Sequence, residues 1–261
     1  MRIAVISPHA TKNGNTTLAM LIGLEYANSD KLVCITHAQP TSKSFFKYFS
    51  FSGFADKTST PSQIVKILKE GGLRGDEVRD YCKPIQNNLE AFTNEYSNFT
   101  SEDMIFMQKY IARMFPHEHV IFDVDTDDIV EMKNIIKYCD IVVLNITQDY
   151  IDLDEFKQNR DKYLDAIGNK PVVTVVNKFN ATRMNLKEVA HAMGVRKPSN
   201  WLILRDNPWI GWATNHGKMT QLFRQIMKKD PRVIEIYYDI TKICQTIMKV
   251  KSANDKRGPR K

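Results

Sequence analysis

The feature that most constrains this chain is a recurring order: a short apolar segment, a polar loop, then apolar residues at helical spacing. Residues 2–7 (RIAVIS) are short, β-branched and apolar, the mark of a buried strand. A polar loop follows at 8–15. Leu18, Leu21, Ile22 and Tyr26 then recur at helical spacing, predicting a helix over 16–28, and residues 31–35 predict a second strand. The order continues with strands at 120–124 (VIFDV), 141–146 (IVVLNI), 171–176 (PVVTVV) and 201–204 (WLIL). Helices are predicted at 61–70, 104–114, 129–138, 154–167, 186–193, 218–228 and 233–250, with a turn at 71–75. Strands apolar on both faces and alternating with helices imply an α/β fold, a doubly wound, mostly parallel sheet with helices on both faces. No internal repeat or boundary divides the pattern, so one domain is expected over 1–250.

Composition enters mainly through what it excludes. The 261 residues are 43% hydrophobic and 26% charged, which rules out wholesale disorder. No apolar run approaches the roughly 20 residues of a membrane-spanning helix, and the N-terminus, MRIAVISPHA, lacks the pattern of a secretory leader. Cys34, Cys82, Cys139 and Cys244 are scattered with no CxxC pair, so neither a zinc site nor a disulfide framework is suggested, and a reduced, cytoplasmic protein is expected. The net charge of +7 is concentrated at the end of the chain. Lys249, Lys251, Lys256, Arg257, Arg260 and Lys261 stand there against Asp255 alone. Residues 251–261 are expected to be a disordered basic tail, either a solvated terminus or a contact for DNA or an anionic membrane.

Ligands of open α/β sheets bind at the carboxyl ends of strands, beside helix N-termini. The first such loop here is SPHATKNGNTTLA. A phosphate loop of the form GxxxxGK[ST] uses glycine for close backbone approach, lysine for phosphate charge and a hydroxyl for Mg2+. Gly14 and Thr16 fit that pattern, whereas His9 takes the first glycine position and Asn15 the lysine position. The residues alone allow a nucleotide loop or a polar turn capping a helix through Asn15 or Thr16.

Five further segments resemble the ParA/MinD family of deviant Walker P-loop ATPases, in order, over nearly the whole chain. KLVCITHAQP is similar to its second strand, and EHVIFDVDTD to its Walker B strand, with Asp123 at the end. YCDIVVLNITQDYIDLDEF is similar to the strand and helix that follow. KPVVTVVNKFN is similar to the strand whose asparagine contacts adenine, here Asn177. LILRDNPWIGWATNHGKMTQL is similar to the segment that closes over the base, with Pro208 in it. The resemblance implies a P-loop NTPase fold. It further implies ATP or ADP with Mg2+ as cofactor, bound by Lys12, Asn13, Gly14, Asn15, Thr16, Thr17, Asp123, Asn177 and Pro208, with Thr16 and Asp123 on the metal. It also implies a partition, positioning or assembly role with a homodimer, a protein partner or a cargo adaptor.

The departures bear on chemistry. The family's signature lysine falls on Ala10, its Walker lysine on Asn15, and the two aspartates of its second strand on Thr36 and Ala38, with Lys12 two residues from the signature position. Phosphoryl transfer is mainly positioning and charge neutralisation, and losing one such element typically lowers the rate about 10²–10³-fold. A degenerate, pseudoenzyme-like member with weak or absent hydrolysis is therefore expected. The loop is also similar to the FMN loop of flavodoxin-like FMN reductases, where Ser7, Asn13, Asn15 and Thr16 would meet a single phosphate without a lysine. FMN is the alternative cofactor on that reading.

Weaker signals remain. His117 and His119 flank Glu118 and read as a solvated turn, with a metal pair as the alternative. His9 and His37 fall at strand ends that border the ligand crevice. The aromatic run at 45–54 reads as core or a partner contact, with base stacking as the alternative. Asp149, Asp152, Asp154 and Glu155 read as a helix N-terminal charge pattern. The last helix is amphipathic and is expected to pack on the sheet.

Overall fold

The computed structural model describes residues 1–8, 13–37, 48–49, 61–71, 77–92, 100–124, 128–196 and 198–256. Strands β1 (Arg2–Ile6), β2 (Val33–His37), β3 (Lys83–Gln86), β4 (Leu89–Phe92), β5 (His119–Val124), β6 (Ile141–Ile146), β7 (Val172–Phe179) and β8 (Trp201–Arg205) form one sheet in the order β3-β4-β2-β5-β1-β6-β7-β8. Every neighbouring pair is parallel except β3 with β4. β1 lies between β5 and β6, so the first strand of the sequence is central in space.

The central strands are largely apolar because both faces are covered. Ile3 and Val5 point into one core, and Ala4 and Ile6 into the other. The first core is filled by helices α1 (Asn15–Asn28), α8 (Pro208–Asn215), α9 (Met219–Met227) and α10 (Ile234–Asp255). The second lies under α2 (Pro61–Lys69), α3 (Ser101–Met114), α4 (Ile129–Ile136), α5 (Tyr150–Gln158), α6 (Arg160–Ile167) and α7 (Leu186–Ala192). Helix α1 is buried on every side from Asn15 to Ala27, which its nearly all-round apolar sequence requires. The Arg2 guanidinium ties α3 to the sheet: Nε donates to the Ala112 carbonyl at 2.7 Å and the terminal nitrogens donate to Phe115 and His117.

The expected fold class is observed, with local corrections. The second strand runs two residues later than expected, through Thr36 and His37, and both are buried. The hairpin of β3 and β4 escaped the periodicity because each strand has four residues; its two-residue turn uses Asn88 at φ 61. The helix expected over 154–167 begins at Tyr150 and breaks at Asn159, whose side-chain amide turns back to Glu155 Oε1 at 2.7 Å. Residues 251–255, expected to be unfolded tail, continue α10. Lys251 there sits 2.5 Å from Asp255 Oδ1 and 4.0 Å from Asp140 Oδ1. Residues 257–261 lie outside the described residues. Among the described residues no helix is long and apolar enough to cross a membrane.

Gly23 marks the closest approach of α1 to the sheet. A Cβ there would stand 2.7 Å from Ile35 Cδ1 and 3.1 Å from Leu89 Cδ1, both side chains fully buried. Overpacking a core of this density costs about 1–3 kcal/mol, more than the roughly 1 kcal/mol of helix propensity gained on leaving glycine. Gly23→Val, which also adds a branched β-carbon, is expected to lower stability by about 2–3 kcal/mol in urea unfolding. Wild-type stability would contradict this packing.

Candidate functional site

The carboxyl ends of β1, β5, β6 and β7 converge on Asn13 and Gly14 and the first turn of α1. Gly14 caps α1 at φ 74, a left-handed conformation that favours glycine, and its carbonyl accepts from Leu18 N at 2.9 Å. Space demands glycine as well, since a Cβ there would stand 2.9 Å from Asn177 Nδ2. The first N–H groups of α1, at Asn15, Thr16 and Thr17, have no side-chain cap from Gly14 and lie at the positive end of the helix dipole. That arrangement suits an anion.

Asparagines hold this loop in place. Asn177, at the end of β7, donates Nδ2 to the carbonyls of Asn13 at 2.9 Å and Gly14 at 3.3 Å, and its Oδ1 accepts from Lys178 N at 2.8 Å. Asn145 of β6 donates to the same Asn13 carbonyl at 3.2 Å, and Asn13 Nδ2 reaches Ser7 Oγ at 2.7 Å. Tyr163 Oη donates to the Pro8 carbonyl at 2.9 Å. Asn145 and Tyr163 were not singled out in the sequence. The available sign was a lone amide inside the apolar strand IVVLNI.

Asn15, at the lysine position, points into the sheet. Its Nδ2 donates to the Val5 carbonyl at 2.9 Å, to Asp123 Oδ1 at 2.8 Å and, at 3.4 Å, to the Val124 carbonyl. All three partners are acceptors, which fixes the amide's orientation. Thr16 Oγ1 donates to the other Asp123 oxygen at 2.6 Å. Asp123 is 1% exposed. Burial pushes its carboxyl up to about 6, although the bonds from Thr16 and Asn15 pull it back down. Asn15 Oδ1 and Asn145 Oδ1 are buried acceptors with no partner among the described residues, suited to a bound water. The Thr16 hydroxyl and Asp123 carboxylate offer the hard oxygen ligands that Mg2+ takes, so this pair fits the metal. The donors proposed for an FMN phosphate are already engaged at Asn13 and Asn15.

The structure thus brings together Asn13, Gly14, Asn15, Thr16, Asp123 and Asn177, with Thr17 buried beside them. Lys12, His9, Ala10 and Ala38 lie outside the described residues. Thr36 is buried, and its neighbour His37 lies in register with Asp123. Pro208 is exposed at the first turn of α8, after β8 on the same edge, and joins none of the contacts described for the loop. Asp149 caps α5, as its acidic stretch implied. Of the aromatic run only Tyr48 and Phe49 are described, and Phe49 is core, 6.0 Å from the Phe223 ring. The solvated turn expected at 117–119 is corrected, because both imidazoles are buried and only Glu118 faces solvent.

No family model and no curated protein matches the chain. Solved structures do. A plasmid partition protein from Borrelia burgdorferi bound to AMPPNP is 14% identical with a TM-score of 0.61, covering 87% of this chain and 98% of its own. The septum site-determining protein MinD of Pyrococcus horikoshii, complexed with Mg-ADP, is 13% identical with a TM-score of 0.61, covering 98% and 96%. The MinC:MinD cell division complex of Aquifex aeolicus gives 12% identity and a TM-score of 0.68, covering 95% and 96%. At these identities the likeness is one of fold.

The buried carboxylate sets a pH signature. An aspartate titrates near 3.9 in an unfolded chain and near 6 at position 123 of the fold. The fold therefore disfavours the ionised form. That penalty is absent below about pH 4 and complete above about pH 6. Asp123→Asn keeps an acceptor for Asn15 and is expected to be more stable than wild type by roughly 2–3 kcal/mol at pH 7.5, with the gap closing at pH 4. Chemical denaturation across that range measures it. A gap that stays constant with pH would refute the raised carboxyl.

Proposed function

On a ParA/MinD-type fold, we propose that this chain is a partition or positioning factor that binds an adenine nucleotide weakly and hydrolyses it very slowly or not at all. The observation that carries this reading is the amide of Asn15. It stands where the family has its phosphate lysine and is bound inward to Val5 and Asp123. In the proposed complex the N–H groups of Asn15, Thr16 and Thr17 meet phosphate oxygens, and Thr16 and Asp123 would hold Mg2+. The metal, when bound, neutralises phosphate charge. Asn177 and Asn145 keep the loop shaped for the anion, in this reading without touching the reacting atoms. With no ammonium at position 15, the charge that develops on transferring phosphate is under-compensated.

The partner in this proposal is a protein or cargo adaptor, in line with the MinC-bound relative. A homodimer is compatible, although the signature lysine that reaches across such dimers is replaced by Ala10. The basic residues at the end of α10 and beyond would add non-specific contact with DNA or an anionic membrane.

Calorimetry with ATP, ADP and FMN, each with Mg2+, tests the nucleotide reading. Adenine nucleotides should bind and FMN should not. Gly14→Ala should weaken ATP at least tenfold, about 1.4 kcal/mol, and Asn15→Lys should strengthen it by a similar factor. Brisk phosphate release abolished by Thr16→Ala would contradict slow turnover, and tight FMN binding would contradict the ligand class.

The tail makes a separate prediction. Residues 256–261 carry Lys256, Arg257, Arg260 and Lys261, and their removal leaves α10 whole. Binding of duplex DNA by the full chain should fall with salt at a log–log slope of about −3 to −4, and the truncated chain should lose it. Equal affinity of the two chains would remove nucleic acid from the proposal.

A further inference from the structure

A second polar cluster lies toward the amino ends of the strands, away from Gly14. Cys34 is the second residue of β2 and stands in register with Glu90 of β4. Cys82 follows the short 3-10 helix Glu77–Tyr81, and His117 comes just before β5. The Cys34 and Cys82 sulfurs and a ring nitrogen of His117 all lie within 4.8 Å of one another. Cys34 and His117 are buried and Cys82 is half-buried.

The histidine is prepared for a ligand. Its Nε2 is 2.9 Å from Glu90 Oε2, and Arg79 holds the other Glu90 oxygen with Nε at 2.7 Å and a terminal nitrogen at 2.6 Å. A carboxylate can only accept, so Nε2 carries the proton and Nδ1 is left with its lone pair. Nδ1 is buried and has no hydrogen-bond partner among the described residues. The thiols make long contacts to carbonyls, Cys34 to Ile35 at 3.7 Å and Cys82 to Val78 at 3.9 Å, and Cys34 also hydrogen-bonds with Cys82 and with the Phe92 backbone. A carboxylate behind an imidazole whose other nitrogen is free is the arrangement that orients metal-bound histidines.

We propose that Cys34, Cys82 and His117 form a Zn2+ site, with Glu90 as the residue that positions His117. Two thiolates and a neutral imidazole are soft ligands, which select Zn2+ over Mg2+ or Ca2+. Zinc bonds of about 2.3 Å to sulfur and 2.0–2.1 Å to nitrogen put tetrahedral ligands about 3.5–3.8 Å apart. The observed cluster needs to close by only about 1 Å to reach that geometry. Binding releases the two thiol protons to solvent, and the resulting unit is electrically neutral, which suits its apolar surroundings. The three ligands come from β2, the segment before β3 and the segment before β5, so the metal would fasten the hairpin edge of the sheet to its centre. The site is independent of the nucleotide.

The test is anaerobic titration of the reduced full chain with Co2+, followed by displacement with Zn2+. The expected result is one equivalent bound, with thiolate-to-cobalt charge-transfer absorption that Zn2+ removes. Cys82→Ser, at the least buried ligand, should remove that absorption while leaving the thermal transition of the metal-free protein in place. Glu90→Gln should keep the spectrum and weaken affinity about 10–100-fold. Absence of the charge-transfer band at stoichiometric cobalt would overturn the site. So would an unchanged spectrum in both Cys82→Ser and His117→Ala, or a Cys34–Cys82 disulfide found by mass spectrometry as the resident state of unreduced protein.

Discussion

A carboxylate at the centre of a sheet must find donors or lose its charge, and the edge of this molecule around Gly14 is arranged around that requirement. Asp123 is the penultimate residue of the fifth strand and has almost no exposure. Its two oxygens are taken by Asn15 and Thr16, the first residues of α1. Those two bonds fix where α1 starts, and with it the turn at Gly14 and the direction of the free N–H groups. Asn177 and Asn145 complete the loop from the neighbouring strands. Every side-chain donor among these contacts is neutral. Neutral donors satisfy the carboxylate without lowering its pKa far, which explains why the group stays near 6 rather than in the ordinary carboxylate range.

This chemistry separates shape from turnover. A glycine turn at the N-terminus of a buried helix is enough to hold a phosphate. Rapid phosphoryl transfer asks for fixed positive charge where negative charge develops. In the proposed function, Gly14 and α1 supply the first. At position 15 the fold supplies an amide already committed to the sheet. A lysine there would give up the Asn15 bonds to the Val5 carbonyl and Asp123, so the amide at this position is part of the local packing.

The alternation of strands and helices made the central sheet legible in the sequence, because strands covered on both faces read as continuous apolar runs. The edge was not legible: β3 and β4 are four residues each, and their pairing depends on a two-residue asparagine turn. That Gly14, Thr16 and Asp123 lie together was readable, because the left-handed turn favours glycine and the strand order brings Asp123 to the start of α1. Asn145 and Tyr163 were not, because their roles depend on which strands lie side by side. The same limit hid the cluster of Cys34, Cys82 and His117. Absence of CxxC spacing argued against a zinc site, yet strand pairing brings distant positions together without any local pattern. The paired histidines at 117 and 119 misled for a related reason, since a motif that reads as a solvated turn is drawn inward by the strands on either side.

The measurement that bears most directly on this account is the carboxyl titration of Asp123, followed by carbon-detected NMR in protein labelled at aspartate and assigned with Asp123→Asn. A midpoint near 6 is predicted, since the carboxylate is buried among neutral donors. A midpoint at or below the ordinary value of about 3.9 would mean that a cation or open water reaches the group. It would contradict the proposed reading in which this site holds its shape through neutral donors alone.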